Sequence, residues 1–124
     1  MKIEISVGEL VDKLTILAIK LEKITDPEKL ANIRKEHDLL RREMADAGIT
    51  EDSPEYLRLI AVNRKLWDIE DGIRAKEAAK AFDDAFIELA RSVYFENDQR
   101  AAIKREINLK FGSNLIEEKQ YTAY

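Results

Sequence analysis

The chain of 124 residues has no cysteine, only 2 prolines and 4 glycines, one histidine, one tryptophan, and no marked excess of either charge. Without cysteine there are no disulfides, thiolate metal ligands or cysteine nucleophiles, which is compatible with a reducing compartment. So little proline and glycine leaves scant material for the many tight turns of an all-β fold. A single histidine excludes a His-x-x-x-His zinc helix, and no Glu-x-x-His pair exists for a di-metal bundle. The sequence holds no P-loop, no G-x-G-x-x-G and no nucleophile elbow, so neither a metal nor a cofactor is expected. No apolar run approaches the ~18 residues of a membrane span, and Met1-Lys2-Ile3-Glu4-Ile5 lacks the apolar stretch of a signal peptide. A cytoplasmic location without membrane insertion is expected.

What is present is 45% apolar and 37% charged, with 21 Lys+Arg against 25 Asp+Glu and a net charge of -4. That apolar content is too high for disorder, and the length suits one helical domain over 1–124. The balanced charge argues against a nucleic-acid partner that needs a broad basic field. The local exception is residues 100–110, where Arg100, Lys104, Arg105 and Lys110 outnumber Glu106.

The patterning predicts an all-α fold, an antiparallel bundle of four to five helices with a long central helix. Ser6 and Glu9 form a capping box, Ile5 and Leu10 a staple, and Leu10, Leu14, Leu17, Leu21 and Ile24 give a helix over about 7–24. Asp26-Pro27 starts a second helix with the seam Leu30, Ile33, His37, Leu40 and Met44, ended by Gly48. Ser53-Pro54 starts the next, and no proline follows. One long helix, or two with a kink, therefore fills about 54–95. The arc through Tyr56, Leu59, Leu66 and Ile73 points away from that of Phe82, Phe86, Leu89 and Val93, a rotation larger than heptad drift of ~20° per seven residues supplies. The alanine-rich stretch from Ala75 to Ala81 is thus a bend, a break, or a place where the helix changes neighbours. Asn97 is read as the cap of a last helix carrying Ile103, Ile107 and Phe111, with Gly112 as its stop. Residues 1–5 are read as a short extended N-terminus. The tail 113–124 is read as extended or loosely docked, with residues 2–5 as its candidate pairing partner.

Candidate functional residues are those that break this pattern. Asn63, Glu70, Arg74 and Glu77 fall inside the apolar arc of the third helix, with Glu70/Arg74 and Arg74/Glu77 at pairing distance along it. They form a satisfied structural network, drift to solvent, line a ligand pocket, or make a polar subunit interface. His37 sits in the seam of the second helix beside Arg34 and Arg41; it is either packed in the core or part of an anion site. Arg100 shares the face of Ile103, Ile107 and Phe111; in the first turn of that helix it either snorkels to water or serves a ligand site. The Glu-x-x-Asp pairs Glu9/Asp12 and Glu43/Asp46 are read as projecting away from the apolar stripes, so magnesium is not expected there. Ile16 and Ile19 form a second apolar face on the first helix and, with Tyr56 and Trp67, are candidate interface residues of a homodimer.

The stretches Val11-Asp12-Lys13-Leu14-Thr15-Ile16-Leu17, Leu66-Trp67-Asp68-Ile69-Glu70-Asp71, Phe86-Ile87-Glu88-Leu89-Ala90-Arg91-Ser92-Val93-Tyr94 and Ile103-Lys104-Arg105-Glu106-Ile107-Asn108 resemble a family of small bacterial all-helical proteins, a domain of unknown function associated with surface-glycan gene clusters. The resemblance implies an accessory or protein-interaction module supporting cell-surface polysaccharide assembly, with a protein partner there. The alternative is a small-anion-binding or isomerase-like bundle using Arg34, His37, Arg41, Glu70 and Arg74, by analogy with the architecture of all-helical chorismate mutases.

Overall fold

The Ser6 hydroxyl accepts from the Glu9 N–H at 3.1 Å and starts α1 (Val7–Lys23). The computed structural model describes residues 1–124, and three further helices follow: α2 (Pro27–Asp46), α3 (Pro54–Ala78) and α4 (Asp84–Lys110). Asp26 caps α2 through the N–H groups of Glu28 and Lys29, and Asp83 caps α4 by accepting from Phe86 at 3.0 Å. Ser53 precedes α3 without capping it; its hydroxyl accepts from the Thr50 N–H instead.

The last three helices stop through one device. A residue in the left-handed region reverses the chain, and the next N–H reaches back to the carbonyl five residues earlier. Gly48 (φ 88°) does this after α2, with Ile49 N–H on Met44 O at 3.1 Å, and Ile49 and Met44 are both buried. Gly112 (φ 64°) does it after α4, with Ser113 N–H on Asn108 O at 2.9 Å. After α3 the reversing residue is Lys80 (φ 53°), with Ala81 N–H on Lys76 O at 2.9 Å.

The 54–95 stretch is thus two helices joined by a full turn rather than one rod. Asn97 does not begin a helix: α4 starts at Asp84 and runs through it without interruption. The Asn97 side chain is spent on Arg100 rather than on a cap, accepting from Nη2 at 2.6 Å. The tail also departs from its expected pairing with residues 2–5. Its only side-chain link there is Asn114 Nδ2 to Glu4 Oε1 at 2.9 Å; otherwise it runs back along α4, with Glu118 on Arg105 and Tyr124 donating to Asp98.

α1 is the central element. It packs on α2, α3 and α4, while α3 and α4 form an antiparallel hairpin and α2 lies against α1 alone. The core joins Val11, Leu14 and Ile19 of α1 to Met44, Ile49, Tyr56, Leu59, Ile60, Ile103 and Ile107. Each such side chain contributes ~1.5–3 kcal/mol by leaving water. The hairpin's share of this core comes from the start of α3 and the end of α4, and no residue from 64 to 102 is fully buried. Beyond Trp67 the α3–α4 hairpin therefore projects as an arm, ~16 Å along α3 at a helical rise of 1.5 Å per residue. Gly72 lets the two helices of the arm approach, because a Cβ there would stand 3.2 Å from Leu89 Cδ1. Phe82 and Phe86 meet edge-to-face at its tip. No helix is long and apolar enough to cross a membrane.

Candidate functional site

Where α1 crosses the α3–α4 hairpin, the packing is polar. Asn63 of α3 is buried, and its Nδ2 donates to Asp12 Oδ1 and to Thr15 Oγ1, each at 2.8 Å. The Thr15 hydroxyl in turn donates to the Asp12 backbone carbonyl at 2.7 Å, one turn back on α1. On the other side of Asn63, Arg100 Nη1 donates to Oδ1 at 3.3 Å. One amide thus ties three helices together, and every buried side-chain polar atom of the chain has a partner. Such groups are costly to bury unpaired, so the network specifies the crossing as well as stabilising it.

Lys104, one turn after Arg100 on α4, is enclosed by acids. Its ammonium donates to Glu9 Oε2 at 2.7 Å and Glu117 Oε2 at 3.4 Å, and faces Asp12 Oδ2 at 3.7 Å. Burial pulls its pKa down, but the Glu9 hydrogen bond and the charges of Asp12, Glu9 and Glu117 outweigh that and leave it above the ordinary lysine value. Glu117 is held below the ordinary carboxylate value: burial pushes it up, and the opposing pull of Lys104 and Lys119 prevails. The Glu9/Asp12 pair therefore does not project away from the packed face. Asp12 is buried, and the cation between the two carboxylates is Lys104. The capping box is also incomplete, since the Glu9 carboxylate turns to Lys104. At the foot of α1, Gly8 N–H donates to Asn108 Oδ1 at 2.6 Å.

Next to this network lies an open cleft of ≈ 300 Å³ between α1, α3 and α4. Ile16, Ile19, Leu66, Trp67 and Val93 supply its apolar surface, and Asn63, Glu70, Asn97 and Arg100 its polar surface. Asn97 and Arg100 also face a larger cleft of ≈ 1020 Å³ between α4 and the tail, walled by Tyr94, Tyr121 and Tyr124. There the Asp98 carboxylate, accepting from the Tyr124 hydroxyl, pushes that phenol up to about 12.

Among the residues singled out in the sequence, Asn63, Glu70, Arg100, Ile16, Ile19 and Trp67 come together around the first cleft. The others lie elsewhere. Glu70 pairs with Arg74 at 2.9 Å and Glu77 with Lys80 at 3.2 Å, all four exposed, because α1 covers only the first half of α3. Arg34, His37 and Arg41 do not join Glu70 and Arg74 in one site, since α2 makes no helix–helix contact with α3. Arg34 and Arg41 are exposed, Arg41 is paired with Glu51, and His37 is half-buried with Nδ1 3.8 Å from Asp38. Ile19 and Tyr56 belong to the core of the single chain, whereas Ile16 and Trp67 stay half-exposed. The basic run 100–110 is largely neutralised: Lys104 by its acids, Arg105 by Glu118 and Lys110 by Glu55, whose carboxyl the Lys110 hydrogen bond holds below the ordinary value.

The sequence did not assign Asp12, Thr15, Lys104, Gly8 or Asn108 to the polar network; it placed Asp12 on an outward face and Lys104 in a basic run. Asp12 and Thr15 carried a signal, because Asp12, Thr15, Ile16 and Ile19 share the second face of α1 at i, i+3, i+4 and i+7.

The chain belongs to the family described as a family of unknown function (DUF6165), whose model matches residues 1–124. Neither a curated protein nor a solved structure matches it.

Proposed function

We propose that residues 1–124 act as one helical interaction module, without enzymatic activity, that pairs with a second copy through the α3–α4 arm. The observation that carries this reading is the arm itself. Two helices leave the core with apolar side chains on more than one face, and Phe82, Ile87 and Phe95 remain 57%, 52% and 43% exposed. A two-helix hairpin has no third layer to cover such side chains, and two hairpins packed together form a four-helix bundle. Residues 68–88 hold seven acids against three bases, so two arms pack antiparallel, with the acidic tips apart.

The test is the mass of the full chain by light scattering across a concentration series. A dimer is expected, and Ile87→Glu is expected to return it to a monomer with unchanged helical content. A wild-type chain that stays monomeric at millimolar concentration removes the dimer.

The cellular part of the proposal is a cytoplasmic role in bacteria beside enzymes of cell-surface polysaccharide assembly, supported by the resemblance of the four stretches quoted above. Deleting the gene should change the amount or length of surface polysaccharide, with rescue by the wild type and not by Ile87→Glu. Unchanged polysaccharide counts against this role.

A further inference from the structure

Arg100 is the one arginine of the chain that is not exposed. No Asp or Glu oxygen lies within 4.0 Å of its guanidinium; its bonds go to two neutral amide oxygens, Asn63 Oδ1 and Asn97 Oδ1. A partly desolvated guanidinium ordinarily carries a carboxylate or a phosphate, because a charged donor with neutral acceptors recovers little of its lost hydration. One turn further along the same helix the fold shows the usual arrangement, with Lys104 facing three carboxylates. Arg100 is instead fixed by its two amides, with N–H donors left over, at the wall of a cleft that Trp67, Ile16 and Val93 make apolar. The ≈ 300 Å³ of that cleft is at the lower end of the range of small-molecule sites.

We propose that this cleft binds a small organic carboxylate carried on a compact apolar group. The carboxylate lies on the Arg100 guanidinium, and the apolar body lies against Trp67, Ile16 and Val93. Glu70, on the rim, is already bonded to Arg74 and adds negative charge, which favours a monoanion over a dianionic phosphate ester. The proposal does not rest on dimerisation through the arm, and the two ideas fail by different measurements.

Trp67 is the only tryptophan, so its emission reports on the cleft directly. The full chain is titrated with 3-phenylpropionate, with 3-phenylpropionamide as the uncharged analogue and phenyl phosphate as the dianionic one. The expected result is a saturable change in Trp67 emission with the carboxylate and about tenfold weaker binding of the amide, the loss of one charged hydrogen bond. Arg100→Gln should weaken the carboxylate about tenfold on the same grounds. That variant also loosens Asn63, so its fold is checked by circular dichroism. Glu70→Gln changes only an exposed residue and should tighten binding about threefold by removing a like charge. No saturable change, equal binding of the amide, tighter binding of phenyl phosphate, or an affinity untouched by Glu70→Gln would each overturn the proposal.

Discussion

Asn63 Nδ2 stands 2.8 Å from Asp12 Oδ1, joining residues 51 positions apart in the chain. The second oxygen of that carboxylate faces Lys104, so Asp12 is satisfied from α3 on one side and from α4 on the other. The relationship explains how a carboxylate is tolerated against Val11 and Leu14: it sits on α1 where three helices meet, and the other two bring it a donor from Asn63 and a counter-charge from Lys104.

Replacing Asn63 with Ala should therefore cost more than the loss of one surface amide. It removes two donors from buried acceptors and an acceptor from Arg100, and a destabilisation of about 2–3 kcal/mol is expected. Urea unfolding would show it as a lower midpoint with an unchanged slope. A shift within error of wild type would mean the network adds nothing to stability.

Gly8 and Gly72 should respond differently to alanine. A Cβ on Gly8 would lie 2.6 Å from Lys104 O, a backbone atom that cannot step aside, and 2.9 Å from Asn108 Oδ1. Overpacking there should cost ~1–3 kcal/mol. At Gly72 the nearest atom is the end of the Leu89 side chain at 3.2 Å, so the strain is relieved by a small shift. Alanine's helix propensity, worth ~1 kcal/mol over glycine, should make that variant neutral or better. Thermal melts of the two variants side by side decide it.

Lys80→Gly should stabilise the chain. Lys80 holds the left-handed position after α3, where a side chain costs roughly 1 kcal/mol, and its ion pair with Glu77 is exposed. An increase in melting temperature is expected, and a decrease would show that the pair outweighs the strain.

The pH dependence has two limbs. Glu55 and Glu117 have lowered pKa values, so their contribution is complete above their ordinary value of 4.5 and is lost as pH falls through the lowered values. Lys104 is raised, so its contribution is complete below 10.5 and is lost as pH rises through the raised value. Tyr56 and Tyr124 are also raised, from 10.0, and add to the alkaline fall. Stability should form a plateau between the acid and alkaline limbs, and Lys104→Met should make the alkaline fall shallower; a fall of unchanged steepness in that variant would contradict the raised Lys104 value.

Hydrogen exchange should divide the molecule. At low protein concentration, where the chain is a monomer, amides of the arm, with no fully buried side chain between 64 and 102, are expected to exchange through local opening, while those around Leu14, Leu59 and Ile107 exchange only with global unfolding. Equal protection along α3 would show that the arm is covered in solution, as the dimer requires. The two halves of α3 are therefore best compared at low and high protein concentration.

The helical class, the starts of α1, α2 and α3, and the stops at Gly48 and Gly112 were determined by sequence alone, because a cap, a first-turn proline or a left-handed glycine acts within a single turn. Asn97 shows the limit of such signals. An asparagine serves equally as a cap or as an interior acceptor, and here Arg100, which also reaches Asn63 37 residues back, takes its oxygen. Lys80 shows the converse, ending α3 in a position that gives no glycine to read. Which polar residues are buried was decided by the tertiary structure. Asn63 and Glu70 lie seven residues apart on one stripe of α3, yet one is buried and the other is exposed, because α1 crosses the hairpin at Asn63 and has left it before Glu70. Periodicity describes a face of a helix along its whole length; how far a neighbour covers that face depends on where the two axes cross, and no local pattern encodes that.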